Sequence, residues 1–200
     1  MNRTLIIVLL VIAGFIGGGA LWWMNTRNSL VAMDEQVGAS WGQVQNVYQR
    51  RLDLIPNLVE TVKGYASHES ATLEAVANAR AKAGGVINLP SAEVLNNPQA
   101  FQRFQEAQQG LSGALQRLLV VSERYPDLKA NENFLNLQAQ LEGTENRIAV
   151  ERNRFNETAQ AYNTRIRQFP ANFVATSLGL QKRPYFEAEP AAQQAPRVKF

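Results

Sequence analysis

The sequence contains no cysteine and a single histidine, His68. The first absence excludes disulfides, thiolate metal sites and thiol nucleophiles. The second excludes any metal site built from several histidines. No glycine-rich phosphate loop is present, since the run Gly17-Gly18-Gly19 falls inside an apolar stretch. Basic residues are not concentrated either: the net charge is +3, and Arg and Lys are interleaved with Glu and Asp. A nucleic-acid surface carries a denser basic stripe, so nucleic acid is not an expected partner. Nothing points to a cofactor, a metal or a small-molecule ligand.

What is present begins with Thr4 to Met24, TLIIVLLVIAGFIGGGALWWM, which carries no charge. It has the length of about 20 residues that a helix needs to cross a bilayer core. A cleaved signal peptide would place its small-residue site near Gly18-Gly19-Ala20. The apolar run continues past that point to Trp22 and Trp23, as an interfacial aromatic belt would. The expectation is an uncleaved anchor over residues 1-27. Arg3 precedes the span and Arg27 follows it, so charge leaves orientation almost open and tips it slightly toward an outer, extracytoplasmic domain. Gly14 and Gly18 form a GxxxG pattern, a close-packing face for a second helix.

From Leu30 onward the apolar residues keep a seven-residue period. One row is Leu30, Val37, Val44, Leu58 and Tyr65; a second is Trp41, Tyr48, Ile55, Val62 and Val76. Such rows mark a bundle seam. Both pass Pro56 in phase, which predicts one helix over about 28-83, kinked at Pro56 and stopped by Gly84-Gly85. Asn97-Pro98 reads as a cap followed by a first-turn proline, opening a second helix over about 97-125. Phe134, Leu141, Ile148, Phe155, Tyr162 and Phe169 define a third, over about 130-169, closed by Pro170. A short fourth segment follows, within a bundle domain of 28-180, and 181-200 reads as an extended tail. The expected fold is all-α, an antiparallel up-and-down bundle of three long helices on a transmembrane helix. Helix one then outruns its neighbours at the membrane end. Leu30, Met33, Val37 and Trp41 would be bare there and would, with Gly14 and Gly18, form a stalk for homo-oligomerisation. The rival is a tail folded back over this row through Tyr185, Phe186, Val198 and Phe200.

The segments RRLDLIPNLVETVKGYASHE, YPDLKANENFLNLQAQLEGTENRIAVERNRFN, AYNTRIRQFP and PYFEA, with a terminal V-x-F, resemble the LemA family over nearly the whole chain. The resemblance implies a bacterial protein with one N-terminal transmembrane helix and an antiparallel helical bundle. It implies no enzymatic reaction. Family members are often encoded near membrane metalloproteases, which hints at envelope quality control. One departure is Phe155, where the family usually carries tyrosine.

Two constellations invite a chemical reading. His68-Glu69 lacks the second histidine four positions on that a zincin requires, position 72 being Thr. A hydrolase using His68 with Asp53, Glu60 or Glu69 has no nucleophile to serve, so a structural or capping role is expected. The second constellation is a polar layer. Arg51 lies on the first helix's row, Glu145 and Arg152 lie on the third helix's second row, and Asn156 and Asn163 each follow an aromatic seam residue. Buried polar groups left unpaired cost about 1–3 kcal/mol each. Arg51 and Arg152 are therefore expected to pair with Glu145, joined by Asp53 or Glu60. The resulting expectation is a non-enzymatic membrane-anchored scaffold or adaptor of the bacterial envelope, homo-oligomeric. The alternative is a regulatory partner or substrate of a membrane protease.

Overall fold

The computed structural model describes residues 3–187. All regular elements among them are helices: α1 (Arg3–Tyr65), α2 (Ser70–Ile87), α3 (Ser91–Asn96), α4 (Pro98–Ser122), α5 (Pro126–Lys129), α6 (Glu132–Arg167) and α7 (Ala171–Ser177). The all-α bundle class is as expected; the number of long helices is not. The helix expected over 28-83 breaks at Ala66–Glu69, and α2 turns back along α1. Gln45 Nε2 donates to the Ile87 carbonyl and Arg80 Nε to the Leu52 carbonyl, which fixes that antiparallel course. Pro56 lies on an exposed face inside α1, and the helix runs past it for nine further residues. Gly84 and Gly85 lie within α2 rather than ending it.

The break escaped the periodicity because it is one helical turn long. Ala66 N still bonds the Val62 carbonyl, and Thr72 N and Leu73 N both bond the Glu69 carbonyl. Val62, Ala66, Val76 and Ala83 are all buried, so the seam keeps its phase through the reversal. Elsewhere the local signals read true. Asn97 Oδ1 accepts from the backbone of Gln99 and Ala100, with Pro98 in the first turn of α4. Asn131 caps α6 by accepting from Phe134 N.

Four long helices thus alternate up and down, with α1 packed along α6 and α2 along α4. One register runs the length of α1 and α6: Tyr65 meets Asn131, Arg51 meets Glu145, and Trp41 meets Phe155. The first residue of α1 to be buried is Thr26, and the stretch before it is exposed and apolar enough to cross a membrane.

The bare stalk is a second correction. Leu30, Val37 and Trp41 are fully buried, and Met33 is half-buried. The lower half of α6, with α7 and residues 178–187, covers them. Phe186 stacks on Trp41 at 6.0 Å, and Arg183 pairs with Asp34. The rival reading of a folded-back tail therefore accounts for this row. Tyr185 is exposed, while Val198 and Phe200 lie outside the described residues.

Candidate functional site

The polar layer is built around Arg51, which is 1% exposed. Its Nη1 donates to Glu145 Oε1 at 2.8 Å and to Ser112 Oγ at 2.9 Å; its Nη2 donates to the Gln108 side-chain and backbone oxygens. Three helices therefore converge on one guanidinium. The α4 partners were missed from sequence, although a polar Gln108 within an apolar seam was the available signal. Asp53 and Glu60 do not join. Both are exposed; Asp53 accepts from Gln49 one turn back, and Glu60 lies near Lys63. Arg152 does not bond Glu145 either. Its Nη2 donates to the Glu187 carbonyl, and its guanidinium lies over the Phe186 ring at 4.9 Å.

Beside the layer is a small cavity of about 60 Å³, lined among others by Tyr48, Arg51, Gln108, Glu145, Arg152 and Phe186. Arg51 Nε and Gln108 Nε2 are buried donors without a protein partner. The space suits water or a small carboxylate-sized acceptor. A guanidinium does not exchange protons near neutrality, so Arg51 itself offers charge and hydrogen bonds, with Glu145, Tyr48 and Ser112 lining the same cavity.

Asn156 and Asn163 have a different task from the one expected. Asn163 grips the backbone of Arg183 through both its amide atoms, at 2.8 Å each. Asn156 does the same for Phe186, at 2.8 and 2.9 Å. Seven residues of helix rise about 10.5 Å; three residues of extended chain span about 9–10 Å. Pro184 lies between the gripped residues and holds the chain extended. Asparagines seven apart on a helix are thus matched to backbone amides three apart on an extended segment. The tail runs antiparallel to α6 in the seam between α4 and α6, and Phe186 enters a cluster of Trp41, Phe101, Phe104 and Phe155. Phe155 is fully buried there, where a tyrosine hydroxyl would need a partner.

His68 is exposed in the Ala66–Glu69 turn, while Glu69 pairs with Arg124 at 2.9 Å and accepts from the Tyr125 hydroxyl. That fastens the turn to the end of α4. Among the described residues no group of three or more acidic or histidine side chains is placed to hold a metal. Gly14 and Gly18 lie on the bare apolar face of α1 with Val11 and Phe15.

Two buried phenols report on this interior. Burial pushes Tyr48 above the ordinary value, against the opposing charges of Arg152 and Arg51. Burial, with the Asp34 charge, pushes Tyr162 up to about 12. The folded chain therefore keeps protons that the unfolded chain sheds above pH ~10, so stability is full below that pH and falls as pH rises through 10 to 12. In an alkaline absorbance titration, read as the difference between the parent and Tyr48→Phe or Tyr162→Phe, Tyr48 and Tyr162 are expected to ionise only above the ordinary tyrosine range or on unfolding. Ionisation of either in the ordinary range while the fold persists would contradict this.

A bundle whose central helix continues as a bare apolar span, with its own tail bound in a seam, defines a membrane-associated helical bundle protein. A profile of the LemA family matches residues 40–200, and the chain belongs to that family. Curated relatives include magnetosome protein MamQ 2 of Paramagnetospirillum magneticum, 25% identical over 96% of this chain and 74% of that protein. MamQ of Magnetospirillum gryphiswaldense is 27% identical over 82% of this chain and 65% of its own length. Protein LemA of Metamycoplasma hominis is 24% identical over 83% of this chain and 71% of its own.

Proposed function

We propose that the chain is a non-catalytic, membrane-anchored scaffold of the bacterial envelope, displaying its bundle on the extracytoplasmic side to other envelope proteins. The supporting observation is that α1 is both the apolar span and the central bundle helix, without interruption from Arg3 to Tyr65. At about 1.5 Å per residue the rod is roughly 95 Å long. A partner bound anywhere on the bundle is thereby held at a set height and orientation over the bilayer. The polar layer fits the same role, because a buried ionic group can fix helix register. Self-association is left resting on Gly14 and Gly18, since the row above them is covered within one chain.

Crosslinking and co-purification from native membranes tests the reading. Stoichiometric envelope proteins, or a second copy, are the expected result. A metalloprotease recovered in stoichiometric amount would make the chain a regulatory subunit instead, and recovery of the chain alone would end the scaffold reading. Protection of the bundle from protease added to spheroplasts would reverse the orientation.

A further inference from the structure

The repeat Phe134, Leu141, Ile148, Phe155, Tyr162 is core throughout, yet its next member, Phe169, is 80% exposed. Phe173, one turn into α7, is 60% exposed and packs edge-on against Phe169 at 5.9 Å. Nothing else in the described chain covers this pair. The α1–α6 register says where it is. Tyr65 to Asn131, Arg51 to Glu145 and Trp41 to Phe155 keep one antiparallel step. The same step carried down puts Phe169 level with Arg27, three residues beyond the last residue of the apolar span, Met24. Three residues are about 4.5 Å of helix; Thr26 is buried at that level, and α1 packs against α7. Trp22 and Trp23 lie just below it.

The charges around the corner have one sign. Arg27 and Arg167 are exposed and Arg165 is half-buried, and neither 25–33 nor 164–181 contains an acidic residue. We propose that the α6–α7 corner is a membrane-docking foot: Phe169 and Phe173 insert into the interfacial layer of the bilayer that α1 spans, and Arg27, Arg165 and Arg167 engage anionic phospholipid headgroups. Aromatic side chains favour that layer, and basic residues beside it are drawn to anionic lipid. The foot gives the bundle a second attachment, so it stands at a set tilt instead of pivoting on the residues after Met24.

The absence of cysteine makes the test direct. Full-length protein carrying Gln168→Cys, labelled with an environment-sensitive fluorophore, is reconstituted into vesicles of phosphatidylcholine and phosphatidylglycerol containing a lipid-borne quencher. Val120→Cys, exposed near the opposite end of α4, is the aqueous control. Quenching at position 168 is expected to exceed the control about threefold or more, and to fall at least about twofold when Phe169→Ser and Phe173→Ser are added, since interfacial aromatics would hold the corner down. Both phenylalanines are exposed, so the pair of substitutions is expected to leave the thermal transition in place. Quenching equal to the control, or unchanged by the serines, would overturn the foot. A label shielded only at high protein-to-lipid ratio would assign the patch to a second copy and overturn it likewise. Equal quenching in phosphatidylcholine alone would overturn the anionic preference.

Discussion

Replacing Phe186 with alanine is expected to cost roughly 2–4 kcal/mol and to free the tail from the α4–α6 seam. Truncating a well-buried phenylalanine typically costs about 3–5 kcal/mol. Here the loss is bounded, because an extended segment after the last helix can detach without unfolding the bundle. Phe186 is 6% exposed and touches four aromatic rings at centroid distances from 4.9 to 6.4 Å. Its removal opens the cover over Trp41 and Phe101 and weakens the grips of Asn156 and Asn163 on the backbone. The local readout is tryptic cleavage after exposed Lys182, expected to accelerate about tenfold or more as the segment opens. Cleavage after Arg183 is blocked by Pro184, so the fragment is diagnostic. Asn156→Ala and Asn163→Ala should accelerate it as well, each by removing two hydrogen bonds worth about 0.5–1.5 kcal/mol apiece. Tyr185→Ala is the control, an exposed neighbour expected to change stability by about 0.5 kcal/mol or less. If Phe186→Ala behaves like Tyr185→Ala in both denaturation and proteolysis, the tail does not hold the seam closed.

Much of this arrangement was legible in the sequence, and the rest was hidden in two ways. The row from Phe134 to Tyr162 marked α6, and Asn97-Pro98 marked the start of α4, because periodicity and capping are local. The Arg51–Glu145 meeting was legible because two charges on facing seams need partners. The reversal at Ala66–Glu69 was hidden, since the two arms of a hairpin turn the same inner-face period toward one core. A turn of four residues preserves that phase, and it uses no proline. The tail was hidden differently. Residues 183–187 have no period, and their fit to Asn156 and Asn163 exists only as a match of 10 Å spacings between two segments. The row Leu30 to Trp41 was misplaced because the far arm of α6 was not set against it: Trp41 meets Phe155, and the tail, kept in the sequence reading as the rival cover, completes it through Phe186.

The buried layer should be more sensitive to losing its carboxylate than its guanidinium. Glu145→Met leaves Arg51 at 1% exposure with a charge and only neutral partners, Ser112 and Gln108. Breaking a buried pair from that side typically costs about 3–5 kcal/mol. The Glu145 side chain is itself 41% exposed, so solvent screens part of the lost attraction and about 2–4 kcal/mol is expected. Arg51→Met leaves a carboxylate that can turn to water and one buried acceptor, Gln108 Oε1, unpaired; about 1–3 kcal/mol is expected. The double variant removes the uncompensated charge, so its cost should fall short of the two single costs added together by about 1 kcal/mol or more. Urea denaturation of the three variants and the parent in one detergent supplies the cycle. Additive costs would mean that the 2.8 Å contact contributes no coupling. A larger loss for Arg51→Met than for Glu145→Met would mean that the guanidinium matters chiefly as a hydrogen-bonded bridge to Gln108 and Ser112, with its charge already balanced by solvent through the adjoining cavity.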